Sequence, residues 1–406
     1  MKDCNKFVFI FMLLGMISSV FSQNEVRVET LTEPFNASGG VSVGADGFVY
    51  VADFGAALNN ANGNTVYRVD PRDGSVAPWA TGLAGASGNS FGPDGNLFQS
   101  NIAGSRISKI TPEGQVSTFT STNIFAPVGV AVDPDGNVYS TNCANANPSI
   151  TKTTPAGVST IFSSGGLFNC PNGLTIDDEG NLYTCNFGNG NIIKITPDGT
   201  PGILANISGN NNGHLTFANN RLYVVGRCIN RIYEVTLDGQ VSVLAGSGIR
   251  GNQDGPALSA RFSVPNGIRA SRTGDTLYVN DAVSQTGGCF NGPLNPIVVR
   301  MIIGVNPTTG IERIDDSKPA AFTLDQNYPN PFNPTTNIRF QISTVQNVTL
   351  RVFNLAGAEV ANLVDEQKPP GTYEVDFDAS ELASGVYLYR LTAGNFTETK
   401  KMVLMK

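Results

Sequence analysis

The groups in this 406-residue chain that could do chemistry are few: one histidine, a recurrent set of Asn and Asp residues, and six cysteines. His214 stands one residue after Gly213. An imidazole facing a cavity can act as a general base near neutrality; turned into a sheet, it is a hydrogen-bonded strand residue. Having only one histidine excludes a three-histidine zinc centre and a two-histidine dyad. The Asn and Asp residues recur beside glycines (Asn172, Asn212, Asn266) and at the ends of short runs (Asp53, Asn101, Asn142, Asn186, Asp281). Short oxygen-bearing side chains converging on a pocket suit a hard cation or a polar ligand. The competing reading is that these residues tie loops together or occupy turn conformations. Residues 133–137, DPDGN, resemble the start of a calcium loop, but Ala144 stands at the twelfth position, where a bidentate Glu is required, so this is a turn.

The elements that must position these groups are set by a repeat. Gly40, Gly88, Gly129, Gly173, Gly213 and Gly267 each open a short run, followed by a turn and a return on an aromatic, as in GVAVDPDGNVYSTN of residues 129–142. A second hairpin follows in each copy, clearest in RISKITPEGQVSTF (106–119) and RIYEVTLDGQVSVL (231–244). Asp-Gly between alternating runs is a strong hairpin signal. An all-strand period near 45 residues is the mark of a β-propeller blade, so the expected fold class is all-β, with a six-bladed propeller. Residues 26–32 have the register of an outer strand and are expected to complete the sixth blade beside residues 297–303. Residues 311–314 compete for that place.

In a blade, the start of the inner strand and the end of the second strand share one face of the disk. The Asn and Asp set, His214 and most cysteines therefore map to one rim of the central channel, and Asp53, Asn101, Asn142, Asn186, Asn212 and Asp281 become candidate ligand-binding residues. The same topology pairs Cys143 with Cys170 and Cys228 with Cys289, leaving Cys185 as a free thiol inside a strand.

A formal charge of −7 with no basic block argues against a nucleic-acid partner. Residues 1–22 carry Lys2, Lys6, an apolar run and a short-residue cleavage site, and read as a secretory signal peptide. No later stretch is long and apolar enough to span a bilayer. Export permits disulfides.

Residues 244–268, LAGSGIRGNQDGPALSARFSVPNGI, together with Asp281 and RMI of 300–302, resemble the connecting segment of NHL-repeat propellers. The P-N-G and P-D-G-N-L-Y runs of other blades are similar to gluconolactonase and strictosidine-synthase-like propellers. The gluconolactonase resemblance implies a divalent metal, calcium, with Asn172 and Asn266 among its ligands. The acidic ligand of those enzymes has no counterpart here, since Ser38-Gly39-Gly40 stands in its place.

The tail changes character. Residues 327–334 (NYPNPFNP), 352–357 (VFNLAG), 382–389 (LASGVYLY) and 400–404 (KKMVL) closely resemble the type A sorting domain of the bacterial type IX secretion system. Its alternating runs imply a small Ig-like β-sandwich. The expected organisation is a signal peptide (1–22), propeller (23–314), linker (315–320) and sorting domain (321–406). By that resemblance the secretion machinery is the partner of residues 321–406, and the protein is exported through the periplasm, then released or attached to the outer cell surface. Two functions follow for the propeller. One is a module binding a small molecule, glycan or protein at the channel face; the other is a calcium-dependent hydrolase of lactones or esters, with His214 as a candidate catalytic residue.

Overall fold

The computed structural model describes residues 26–405 apart from 145, 210, 291, 306–310, 316–318, 380 and 381. The signal peptide read at 1–22 lies outside the described residues. No helix among them is long and apolar enough to cross a membrane.

Five successive four-stranded antiparallel sheets run inner to outer in chain order. The third is typical, with strands Pro127–Val132, Val138–Asn142, Ser149–Thr153 and Ser159–Ser164. Its first turn uses Gly136 at φ +80°, where a side chain would be strained. Asp133 accepts the Asn137 amide (2.8 Å) and side chain (2.8 Å), so both carboxylate oxygens serve the turn. Apolar side chains fill the space between neighbouring blades: Tyr183 and Ile192 of blade four pack in one buried cluster with Leu222 and Val224 of blade five.

The sixth sheet closes the ring. Arg27–Thr30 pairs antiparallel with Ile297–Ile303, from Arg27 opposite Ile303 to Thr30 opposite Arg300, and the short strand Gly255–Pro256 adds to its outer side. Thr30 is held further by Asp254, which accepts its amide (2.9 Å) and hydroxyl (3.0 Å). The closing place being taken, Ile311–Asp315 instead pairs with Gly371–Asp378 of the C-terminal domain. This corrects the expected propeller limit of 314 and the linker at 315–320: the propeller's last strand ends at Ile303.

The repeated glycines lie where the inner strands crowd around the axis. A Cβ on any of the six would lie under 3.0 Å from backbone of the next blade: Gly40 against Gly88, Gly88 against Val128, Gly129 against Asn172, Gly173 against His214, Gly213 against Asn266 and Gly267 against Gly39.

The C-terminal domain is a pair of four-stranded sheets around one core that includes Ile338, Phe340, Leu350, Val352, Val375, Tyr389 and Met402. Thr335–Ile342 alternates exposed and buried, as a strand with one face on a core must. The NYPNPFNP segment is tied to the last strands. The Tyr389 hydroxyl accepts the Asn327 amide (2.8 Å) and donates to the Asp325 carbonyl (2.8 Å), while Asn330 accepts the Val403 amide (2.9 Å).

Two stability outcomes follow. Gly129→Ala should cost about 1–3 kcal/mol because backbone must shift, whereas Gly166→Ala, with nothing within 4 Å, should be near neutral; denaturant titration distinguishes them. Tyr389→Phe leaves the buried Asn327 amide unpaired and should cost about 1–3 kcal/mol, seen as a lower midpoint of the sorting domain's calorimetric transition.

Candidate functional site

The channel opens on the predicted face into a cavity of about 210 Å³. Its walls are apolar, from Phe54, Leu58, Ile102, Val128, Phe187 and Leu294, with Cys143 and Cys170 beside them. Its polar lining comes from Ser87, Asn172, His214, Arg227 and Asn266. Of the sequence candidates, Asn172, Asn266 and His214 therefore meet at one place.

The remaining candidates do not line this cavity, which corrects their assignment as ligand contacts. Asn101, Asn142 and Asn186 accept the amides of Ala84 (3.0 Å), Phe125 (2.9 Å) and Asn169 (3.1 Å), each 17 residues earlier. Asp281 does the same for Ser263 at 2.7 Å. At this position the strand end fastens the loop that enters its own blade. Asp53 accepts from the Asn295 side chain (2.8 Å), and burial pushes its carboxyl up. Asn212 donates to the Gly190 carbonyl at 3.2 Å. Burial pushes the Asp281 carboxyl up to about 7, against the pull of Arg300, the Ser263 amide and Asn252. Arg300 bridges the buried Asp281 (3.2 Å) and the exposed Asp254, so the NHL-like residues form a structural network that runs from the interior to the surface.

Side-chain alternation explains the miss. The residues immediately after four of those strand ends, Phe54, Ile102, Cys143 and Phe187, are the ones that face the cavity. Blade five puts Arg227 in the same column, directly after the strand Arg221–Gly226. Sequence reasoning passed over this residue. A charged side chain in an otherwise apolar column was the available signal.

Arg227 is 1% exposed, on a short 3-10 turn, Arg227–Ile229. Its Nε and Nη2 have no partner, and none of the ion pairs among the described residues involves it. Burial alone lowers the guanidinium to about 10, so it stays charged at neutral pH. The imidazole of His214 reaches across the channel: a Cβ on Gly88, in blade two, would lie 3.1 Å from its Cε1. Burial, and then the charge of Arg227, lower His214 to about 4, and its Nε2 is also unpartnered. Asn172 donates to the Asn212 carbonyl (2.9 Å) and Asn266 to the Ser38 carbonyl (2.8 Å), each tying one blade to the next, while Asn172 Oδ1 has no partner.

The surroundings do not fit a calcium ion. A guanidinium shares the cavity, its lining includes no carboxylate, and no group of three His, Cys, Asp or Glu among the described residues could hold a metal. Gly40-Val41-Ser42-Val43-Gly44 has the spacing of a nucleophile elbow. It lies along an inner strand rather than at a strand-to-helix turn, and Ser42 donates to Asn89 Oδ1 at 2.6 Å. The disulfides are Cys143–Cys170 and Cys228–Cys289. Cys185 is free and buried, its thiol donating to the Gly213 carbonyl (2.9 Å) and pushed up to about 12, which leaves it unreactive.

Comparisons with known proteins bear on the two domains separately. No curated protein matches the sequence. In fold, the propeller is similar to a gluconolactonase from Xanthomonas campestris, with 16% identity, TM-score 0.52, and coverage of 68% of this chain and 90% of that one. It is also similar to an auxiliary nutrient binding protein from Bacteroides ovatus, with 17% identity, TM-score 0.54, and coverage of 68% and 76%. Residues 326–405 match the family described as the secretion system C-terminal sorting domain. The chain therefore carries a type IX secretion sorting domain behind a six-bladed propeller, and is exported by that route to the cell surface or the extracellular space.

Proposed function

We propose that the propeller is a binding module that takes a small ligand at the channel mouth and catalyses nothing. The observation that carries this reading is the cavity itself, with apolar walls over a lining whose Arg227, His214 and Asn172 keep unpartnered polar atoms. Apolar surface with a few convergent polar groups is what ligand sites share. The nutrient binding protein similar in fold is a precedent for such a scaffold serving to bind.

The calcium-dependent hydrolase is the weaker reading. Its ion would sit beside a guanidinium, with no carboxylate in the lining to offset its charge. An imidazole lowered to about 4 is a poor proton acceptor at neutral pH, so His214 is ill suited as a general base.

One experiment addresses ligand binding directly. Thermal melting of the mature chain against small acids, sugars and lactones should yield binders, and Val128→Trp, which fills the cavity, should abolish their shifts. Calcium or a chelator should leave the melting temperature unchanged, since a metal binding only the folded state would raise it. A calcium shift accompanied by lactone turnover would reverse the assignment. A second outcome concerns pH. His214 is held below its ordinary 6.5, so the unfolded chain takes up the proton first. Its contribution to stability is whole above pH 6.5 and is lost as pH falls towards 4, about 3 kcal/mol at the limit. The imidazole resonance, unique in this chain, should show no titration between pH 8 and 5.5, and His214→Gln should remove this part of the acid sensitivity.

A further inference from the structure

The polar atoms at the cavity are not evenly mixed in character. Four of the twelve buried side-chain atoms without a partner among the described residues belong to residues that line it: Arg227 Nε and Nη2, His214 Nε2 and Asn172 Oδ1. Nε and Nη2 occupy one edge of a guanidinium, and that edge is the fork that matches the two oxygens of a carboxylate. The backbone that follows the fork is fixed at two points. Cys228, the next residue, is bonded to Cys289, and Asn230, in the left-handed conformation, accepts the Val264 amide at 3.0 Å. The other blades put apolar groups or cysteine in the column of Arg227, so the positive charge is confined to one side of the cavity.

We propose that the ligand is a small organic carboxylate, its anionic end held by Arg227 and its apolar body seated against Phe54, Ile102, Phe187 and Leu294. This rests on the channel mouth being a ligand site. The apolar walls distinguish such a ligand from a free inorganic anion, which would leave them in contact with nothing. At about 210 Å³ the cavity is below the range of drug-sized pockets, which limits the body to about one ring or a short branched chain. Asn172 Oδ1 can only accept, so a hydroxyl or amino group beside the carboxylate would find a partner there.

The test uses the mature chain and three probes: phenylacetate, its uncharged isostere phenylacetamide, and inorganic phosphate, each titrated calorimetrically. Phenylacetate should bind at least about tenfold more tightly than phenylacetamide, as expected for a charge-assisted bidentate contact, and phosphate should bind weakly. Arg227→Gln should erase the preference while leaving phenylacetamide unaffected, and Arg227→Lys should keep part of it. The wild-type comparison stands whether or not the variants fold. Equal binding of phenylacetate and phenylacetamide, both lost in Val128→Trp, would overturn the carboxylate assignment while sustaining the cavity as a ligand site. Binding of phosphate as tight as that of phenylacetate would overturn the organic body. Absence of phenylacetate binding at millimolar concentration would overturn the proposal outright, and neutral binders from the wider screen would then decide the cavity's role separately.

Discussion

Crowding at the channel axis is the constraint on which the propeller depends. Six inner strands can meet there only if each presents no side chain towards the next blade, and the glycines satisfy this in a closed relay from Gly40 round to Gly267 and back to Gly39. The same crowding selects what can face the channel. Ser87, Val128, Asn172 and Asn266 immediately precede these glycines, and in blade five His214 follows one. A glycine motif that looks like a sequence signature of fold is thus also the frame of the site.

Much of this was legible in the residues. The spacing of the glycines and the Asp-Gly turns yields the blades. The outer-strand register of the N-terminal segment yields the closure by Arg27–Thr30, and the cysteine positions follow from the topology. The direction of individual side chains at the rim was not legible, for a local reason. In blades two to five the inner strand shifts register at its glycine: Pro171 pairs with Asn186 and Leu174 with Thr184, so two residues of one strand are matched by one of the other. Such a bulge breaks the period of two from which facing is read. Asn172, the first residue of its bulge, reaches the cavity, whereas blade five has Gly213 in that place and His214 in the next; Asn212 pairs with Gly226, as Pro171 does with Asn186, and its side chain turns to Gly190.

The second strands illustrate the opposite difficulty. Polar residues at their ends drew attention because Asn and Asp can be ligands, yet Asn101, Asn142, Asn186 and Asp281 make one repeated loop contact, and repetition is itself the mark of a structural role. A functional residue is better sought where the repeat is broken. Arg227 breaks it in the adjacent column, and the single histidine stands at the second bulge position, which blades two to four give to glycine.

An unpaired guanidinium must be tolerated by the rest of the fold. Lowering Arg227 from 12.5 to about 10 by burial corresponds to about 3 kcal/mol against the charged form. In a flexible loop that charge would swing into water and the cavity would lose it. The Cys228–Cys289 bond adjoins Arg227 and closes a separation of 61 residues, a constraint worth about 4 kcal/mol in the chain-entropy account. The two quantities are of one size, so the crosslink is sufficient to offset what the buried charge costs the fold. Cys143–Cys170, in the cavity wall, stiffens two blades on another side of the same mouth. Both bonds require the oxidising route that export supplies. Secretion and site are in this sense coupled: export takes the chain out of the reducing cytosol, where the crosslinks beside this charge would not persist.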